Sequence, residues 1–455
     1  RDNHPDSKAG TTTGTMKQKM WVLLTSFAAL VLVQQQLLLS RPPRLLSRTP
    51  QPLQSGSAAL DLRFSRPMQL GSVAADSQLQ PDLLHRWQGE NNLLRLLIDA
   101  NQRIKASIQL TVAGQDHRAQ ALPPQHWWWD PRPWLLVNRQ VDGGDQLQVQ
   151  SRDGRWIPLS PTLNQIQRVV PLGNGKGAAL IERDKDWKQR LFLLPLLPRN
   201  ITAHRDQLAA PKAGKLMPLV PGQYLFADLS SNLNGDLLAQ TGGFSPGSGR
   251  TELIKADGQR RTLEIKASGP IQLLPAGGGA VVPTFNGLTL RPLIENDQTP
   301  QLLPGARDLG DFCQATGRAV LIRHWPDYRR SIELVIPGLP PKQLWLGEES
   351  VLALSCDNRG ERVWAVLGRR QDRRIKHELV LLDGDGLVLG RRQLAPWLLK
   401  SGSRLKFDPV GEQLLMTVTK PGLDAGRAAL MEATTLEWLK VLPIRIKEAL
   451  WLSAG

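Results

Sequence analysis

The residues in this chain that could carry chemistry are two cysteines, Cys313 and Cys356, seven histidines and 41 acidic side chains. Two cysteines are too few for a disulfide scaffold and have no metal-ligand spacing. They can pair if the fold brings their Cα atoms within about 7 Å; the plainer reading is two small buried side chains. No two histidines stand at a metal-binding interval, and no Gly-x-Ser-x-Gly elbow is present. Asp383-Gly384-Asp385-Gly386 lacks the spaced ligands and distal Glu of a calcium loop and reads as a hairpin turn. Gly173-Asn174-Gly175-Lys176-Gly177 is glycine-rich but precedes a strand, which makes it a poor phosphate cradle. The sequence therefore implies no metal, no cofactor and no catalytic residue.

Binding chemistry has more candidates. Trp127, Trp128 and Trp129 could stack on sugar rings or on a partner, although such clusters more often join two domains. Arg369, Arg370, Arg373 and Arg374 form the densest basic run. They suit an anionic lipid or glycan, against the simpler reading of a solvated hairpin. No base-stacking aromatics interleave with these arginines, so nucleic acid is disfavoured. Two loops, 199–215 with Arg199, His204, Arg205, Lys212 and Lys215, and the Gly/Ser-rich 240–250, are candidates for a ligand-binding rim.

These residues must be positioned by a chain of 455 residues, enough for two or three domains with real cores. The formal charge is +16, which favours anionic neighbours but is spread along the chain. Many short apolar runs between Gly, Pro, Asn and Asp indicate an all-β protein.

The first fifteen residues read as a disordered leader. Residues 16–40 follow as a basic start and an apolar run without charges, 20–39, about the length a bilayer core needs. They are expected to form an uncleaved signal-anchor, a transmembrane helix that leaves the body in the periplasm or another extracytoplasmic space. The flanking charges, Lys17 and Lys19 against Arg41, Arg44 and Arg48, pull slightly toward the opposite topology. Residues 41–57, rich in Arg, Pro, Ser and Gln, read as a linker.

Residues 58–122 alternate at Leu60, Leu62, Phe64, then Leu94, Leu96, Ile98, then Ile108, Leu110, Val112, as half-buried strands do. About 65 residues of short strands fit a small β-sandwich. The run from Leu62 to Met68 with Val73, Trp87 and a closing strand around Gly114, Asp116 and Leu122 resembles the bacterial Ig-like domains of surface-layer and other exported proteins. Ala119 stands where that family usually has Gly. The resemblance implies a spacer or adhesive module. Residues 123–132 read as an aromatic and proline-rich linker.

Residues 133–455 repeat. Cys313-Gln314-Ala315-Thr316-Gly317, Cys356-Asp357-Asn358-Arg359-Gly360 and Phe407-Asp408-Pro409-Val410-Gly411 are each a strand end, a turn and a new strand. Their glycines are spaced 43 and 51 residues apart, the period of four-stranded propeller blades. Trp345, Trp397 and Trp451 form a second echo. The last copy is incomplete, so a closed ring would borrow its missing strands from 134–137 and 146–150, giving six or seven blades. The turn resembles that of TolB-like and WD40-like propellers.

The sequence thus predicts an Ig-like sandwich and a β-propeller behind a membrane anchor. The expected function is a non-enzymatic protein- or glycan-binding scaffold of the cell envelope, its oligomeric state open. The alternative is a propeller hydrolase or lyase on an acidic glycan, with Asp236, Asp311 or Asp357 converging on the channel.

Overall fold

The alternating residues of the first domain fall on strands whose inner faces meet. In the computed structural model, which describes residues 13–51, 56–245, 247–293, 299–371 and 374–454, this part contains seven strands: β1 (Leu45–Gln51), β2 (Ala58–Phe64), β3 (Gln78–Gln80), β4 (His85–Glu90), β5 (Leu93–Ile98), β6 (Ile108–Gln115) and β7 (Ala121–Trp129). One sheet has the order β1-β2-β5-β4, and the other contains β7-β6-β3. Leu60, Leu62 and Phe64 of β2 and Leu94, Leu96 and Ile98 of β5 share one core with Ile108, Leu110 and Val112 of β6. Period-two burial of this kind fixes register, because a one-residue slip would put every apolar side chain in water.

Both segments read as linkers contain strands. β1 lies within 41–57 and pairs antiparallel with β2, Arg48 opposite Leu62. Its Pro50 is tolerated because β1 is an edge strand. The strand β7 takes up 123–129 of the segment 123–132, and Pro123 and Pro124 fall where its register against β6 shifts, between Val112 and Gly114. A bulge needs no ladder N–H there, so the prolines do not break the strand. The sandwich begins before residue 58 and extends past 122. It also takes a strand from downstream, Ile201–Thr202, opposite Trp129 and Trp128.

The remaining strands form seven antiparallel sheets in chain order, so the propeller has seven blades. Blade 1 is Trp134–Val141, Gly144–Gln150 and Trp156–Pro158, completed by Glu448–Leu452. Blades 2 to 6 begin at Ile166–Pro171, Phe226–Ser231, Gln272–Leu273, Arg307–Cys313 and Ser350–Cys356. Blade 7 runs from Leu398–Leu399 to Trp438–Val441. The ring closes as the incomplete repeat implied: Trp451 lies opposite Leu135 and Leu450 opposite Leu136. Closure pairs the side of Trp134–Val141 that would otherwise be left open.

Gly317 and Gly360 turn with φ of 67° and 74°, a region costly for side-chain-bearing residues. The tryptophan echo is not a structural equivalence. Trp345 lies in the outer strand of blade 5, Trp397 precedes the first strand of blade 7, and Trp451 is in the inner strand of blade 1.

At the N-terminus, Thr13–Leu39 is one helix, and its described side chains, residues 20–36, are all exposed. Gln34, Gln35 and Gln36 interrupt its apolar run. Among the described residues no helix is long and apolar enough to cross a membrane, so the expected transmembrane helix is not supported. Of the leader expected over 1–15, residues 1–12 lie outside the described residues and the rest belong to this helix.

Candidate functional site: the propeller channel

Each blade presents its innermost strand to the axis, and together these strands enclose a cavity of about 680 Å³. An inner strand packed between its neighbours is mostly apolar, so a charged residue in one has few places to go except the lumen. Arg168 interrupts Ile166–Pro171 in blade 2, and Asp228 interrupts Phe226–Ser231 in blade 3. Glu448 opens the inner strand of blade 1, and Arg404 stands on the segment between Leu398–Leu399 and Lys406–Asp408 in blade 7.

Arg168 donates Nη1–H to Asp228 Oδ2. Its Nε and Asp228 Oδ1 are buried without a partner. Arg168 is held below its ordinary pKa by burial and then by the Arg404 charge, against the pull of Asp228 and Glu448. Burial raises both Asp228 and Glu448, and the same arginines oppose that shift. Two guanidinium groups and two carboxyls thus feel one another's charge, Arg404 from the exposed side. The exposed side chain of Arg404 forms neither hydrogen bond nor ion pair with the described residues.

The other carboxylates of the channel are engaged. Asp311 accepts from Lys406 Nζ at 2.6 Å and Ser355 Oγ at 3.0 Å. Asp308 Oδ2 lies 2.7 Å from His324 Nε2. Asp408 accepts from the backbone N–H groups of Val410 and Gly411 and from Gln413 Nε2. Burial pushes its carboxyl up to about 6 despite those bonds.

One end of the channel is covered. Pro50, Gln51, Ala58, Ala59 and Trp129 of the sandwich line it together with the ends of the inner strands. The two domains are tied there by several bonds. Ile104 N–H donates to the Val410 carbonyl at 2.9 Å, and Val410 itself is buried in the sandwich core. Arg132 Nη1 donates to the Lys105 carbonyl at 2.7 Å. Arg132 also reaches Asp130, as does Arg152. Burial penalises the Asp130 carboxylate, but the Arg132 hydrogen bonds and both positive charges outweigh it and hold its pKa low.

The residues singled out in the sequence lie elsewhere. Trp129 is in the sandwich core. Trp127 and Trp128 are half-buried under Arg48, 3.3 Å from the ring centroid, and Arg205, at 5.2 Å. They are not an open sugar platform. Arg199 holds the Ala210 carbonyl through Nε and Nη2, and Ile201–Thr202 ties loop 199–215 to the sandwich, while His204, Arg205, Lys212 and Lys215 are exposed. Arg369 and Arg370 are exposed on the hairpin between the second and third strands of blade 6. Arg373 lies outside the described residues, and Arg374 begins the third strand there.

Cys313 and Cys356 form a disulfide between blades 5 and 6, with Cα atoms 5.4 Å apart. The three aspartates offered as catalytic do not converge. Asp311 faces the channel, Asp236 caps a turn through Asn232 and the Ala256 N–H, and Asp357 binds the Glu361 N–H and faces Arg362. Among the described residues no cluster of three or more His, Cys, Asp or Glu could hold a metal ion.

No protein-family model matches the chain, and no curated protein is a significant match. Solved structures similar to it are propellers at low identity. TolB from Acinetobacter baumannii is 11% identical with a TM-score of 0.39, over 77% of this chain and 81% of that one. The β-propeller domain of the Trilobed protease from Pyrococcus furiosus is 11% identical with a TM-score of 0.41, over 77% and 96%. The uncharacterized protein lmo1340 from Listeria monocytogenes EGD-e is 10% identical with a TM-score of 0.45, over 69% and 95%. At these scores the ring assignment rests on the strand pairing described above.

Proposed function

We propose that the protein is a non-enzymatic binding scaffold of the cell envelope whose propeller channel takes an acidic ligand, a carboxylate-bearing glycan. The observation that carries this reading is Arg404, which lines the channel without an ion pair to any described residue while the other basic groups there are engaged, and which acts electrostatically on Arg168, whose Nε is an orphan. A saccharide carboxylate would satisfy both groups. The covered end makes the channel a blind site that holds a ligand without passing it through.

Three further elements of the reading have a structural counterpart. The strand order β1-β2-β5-β4 against β3-β6-β7 is that of an Ig constant-type sandwich, ABED on CFG, in keeping with an Ig-like spacer. The buried Cys313–Cys356 bridge fits an oxidising compartment outside the cytoplasm. The helix Thr13–Leu39, whose exposed side chains include Trp21, Leu23 and Phe27, would attach the body to a membrane.

The test is calorimetric titration with oligouronates, comparing the wild-type chain with Arg404→Gln. A charged hydrogen bond is worth about 1.5–3 kcal/mol, so the variant should bind roughly 10- to 100-fold more weakly. Equal affinity for both proteins removes the channel from the reading. Product release in the same titration would instead favour a hydrolase or lyase. The one observation on that side is that burial raises both Asp228 and Glu448, which share the charges of Arg168 and Arg404.

A further inference from the structure

In an up-and-down blade, the hairpin joining the second and third strands always falls on the same face of the ring. Here that face is opposite the sandwich, which sits against the turns that follow the inner strands. Six of the seven blades carry one exposed large apolar residue on this hairpin: Trp187, Phe244, Phe285, Tyr328, Ile375 and Leu423 in blades 2 to 7. Phe285 is 100% exposed and Tyr328 86%. The remaining exposed aromatic of the described propeller, Phe226, starts an inner strand and so lies on the same face.

Apolar residues scattered singly on a surface mean little. A repeat at one position in six consecutive blades, with every exposed aromatic of the described propeller on one face, is not scatter. Local folding does not require it: Trp187 and Tyr328 adopt φ of 65° and 67°, where an Asn or Gly would be less strained.

Exposed basic side chains accompany four of these tips. Lys185 stands beside Trp187 between Asp184 and Asp186, Arg329 beside Tyr328 in an ion pair with Asp327, Lys420 near Leu423, and Arg369 and Arg370 on the hairpin of Ile375, the most basic of the set. We propose that this face is a membrane-contact surface: the ring of hairpin tips sets its apolar side chains into the interfacial layer of a bilayer while the Lys and Arg residues meet anionic headgroups. The arrangement of the tips selects this occupant. They are single residues, each a blade apart around a ring. A protein partner is normally held by a contiguous, desolvated centre, and these tips stand on separate blades. A bilayer interface accommodates separate amphipathic anchors and favours Trp and Tyr, and each nearby basic residue adds attraction to anionic lipid. The basic run that stood out in the sequence is one sector of this ring. The inference does not depend on the channel ligand, nor on the N-terminal helix, which leaves from the sandwich side.

The test uses the full chain with an environment-sensitive nitrobenzoxadiazole label at Phe285→Cys, Tyr328→Cys or, on the opposite face, Leu339→Cys. The two native cysteines are bonded to each other and do not compete. Vesicles are phosphatidylcholine alone or with phosphatidylglycerol. The expected result is a blue shift and intensity rise at both tip positions with the anionic vesicles only, and none at Leu339→Cys. R369Q/R370Q should lower partition into those vesicles roughly thirty-fold. Tips that stay in a polar environment with anionic vesicles overturn the proposal, as do equal shifts at all three positions or equal shifts with neutral vesicles. Tips that ignore vesicles but become buried on adding a soluble protein fraction would make the face a protein-docking surface and overturn it as well.

Discussion

The disulfide offers the most quantitative handle on the ring. Cys313 and Cys356 are 43 residues apart in sequence and close a loop holding most of blade 5. In the chain-entropy treatment a 43-residue loop restricts the unfolded chain by about 13 cal/mol/K, or about 4 kcal/mol at 25 °C. Cys313 is fully buried and packed in the core shared by blades 5 and 6, so removing the bond while keeping both sulfurs isolates the cross-link from the packing. The protein should be reduced in denaturant, refolded with reductant present, and unfolded in urea beside the oxidised form. With a slope on the order of 3 kcal/mol/M, the propeller midpoint should fall by about 1 M. Coincident midpoints, with free thiols verified by mass spectrometry, would refute the idea that this cross-link restrains the ring.

Two other perturbations test the sandwich–propeller junction. Asp408 is fully buried with a folded pKa of about 6 against 3.8 unfolded, so the folded state holds the proton more tightly. Stability from this group is full below the unfolded value and falls as pH rises through about 6, by roughly 3 kcal/mol in all. Asp408→Asn should flatten that slope in denaturation series between about pH 4 and 7; an unchanged slope counts against the assignment. Asp130→Ala strands Arg132 and Arg152, and the loss should be about 2–3 kcal/mol because both arginines keep some solvent. Limited proteolysis should then cut between the domains sooner than in wild type. Wild-type resistance would mean the Val410 contact alone carries the junction.

Much of the ring could be read from the residues because its constraints are local. Gly317 and Gly360 mark backbone that bends through positive φ, and the two cysteines, each four residues before such a glycine, occupy matching places in neighbouring blades. Matching places in adjacent blades are close, so the pair could meet. The strand β7 was hidden because Pro123 and Pro124 look like breakers until their bulge is known, and β1 because Pro50 looks like linker until it is seen at an edge. The channel cluster had a faint signal at most. Arg168, Asp228 and Glu448 are single charges in or at the start of apolar strands, and nothing in the sequence says that strands so far apart share an axis.

The clasp that completes blade 1 dictates an order of assembly. Lys447, just ahead of the closing strand, meets Asp145 across 302 positions of chain, so on a ribosome the ring stays open until almost all of it has been made. During that interval Trp134–Val141 waits with one side unpaired, the kind of long-lived edge that recruits other chains. The closing strand is thus a timer as well as a seam: mutations that weaken Glu448–Leu452 should reduce the yield of folded protein in a cell more than they lower the stability of molecules that have already closed.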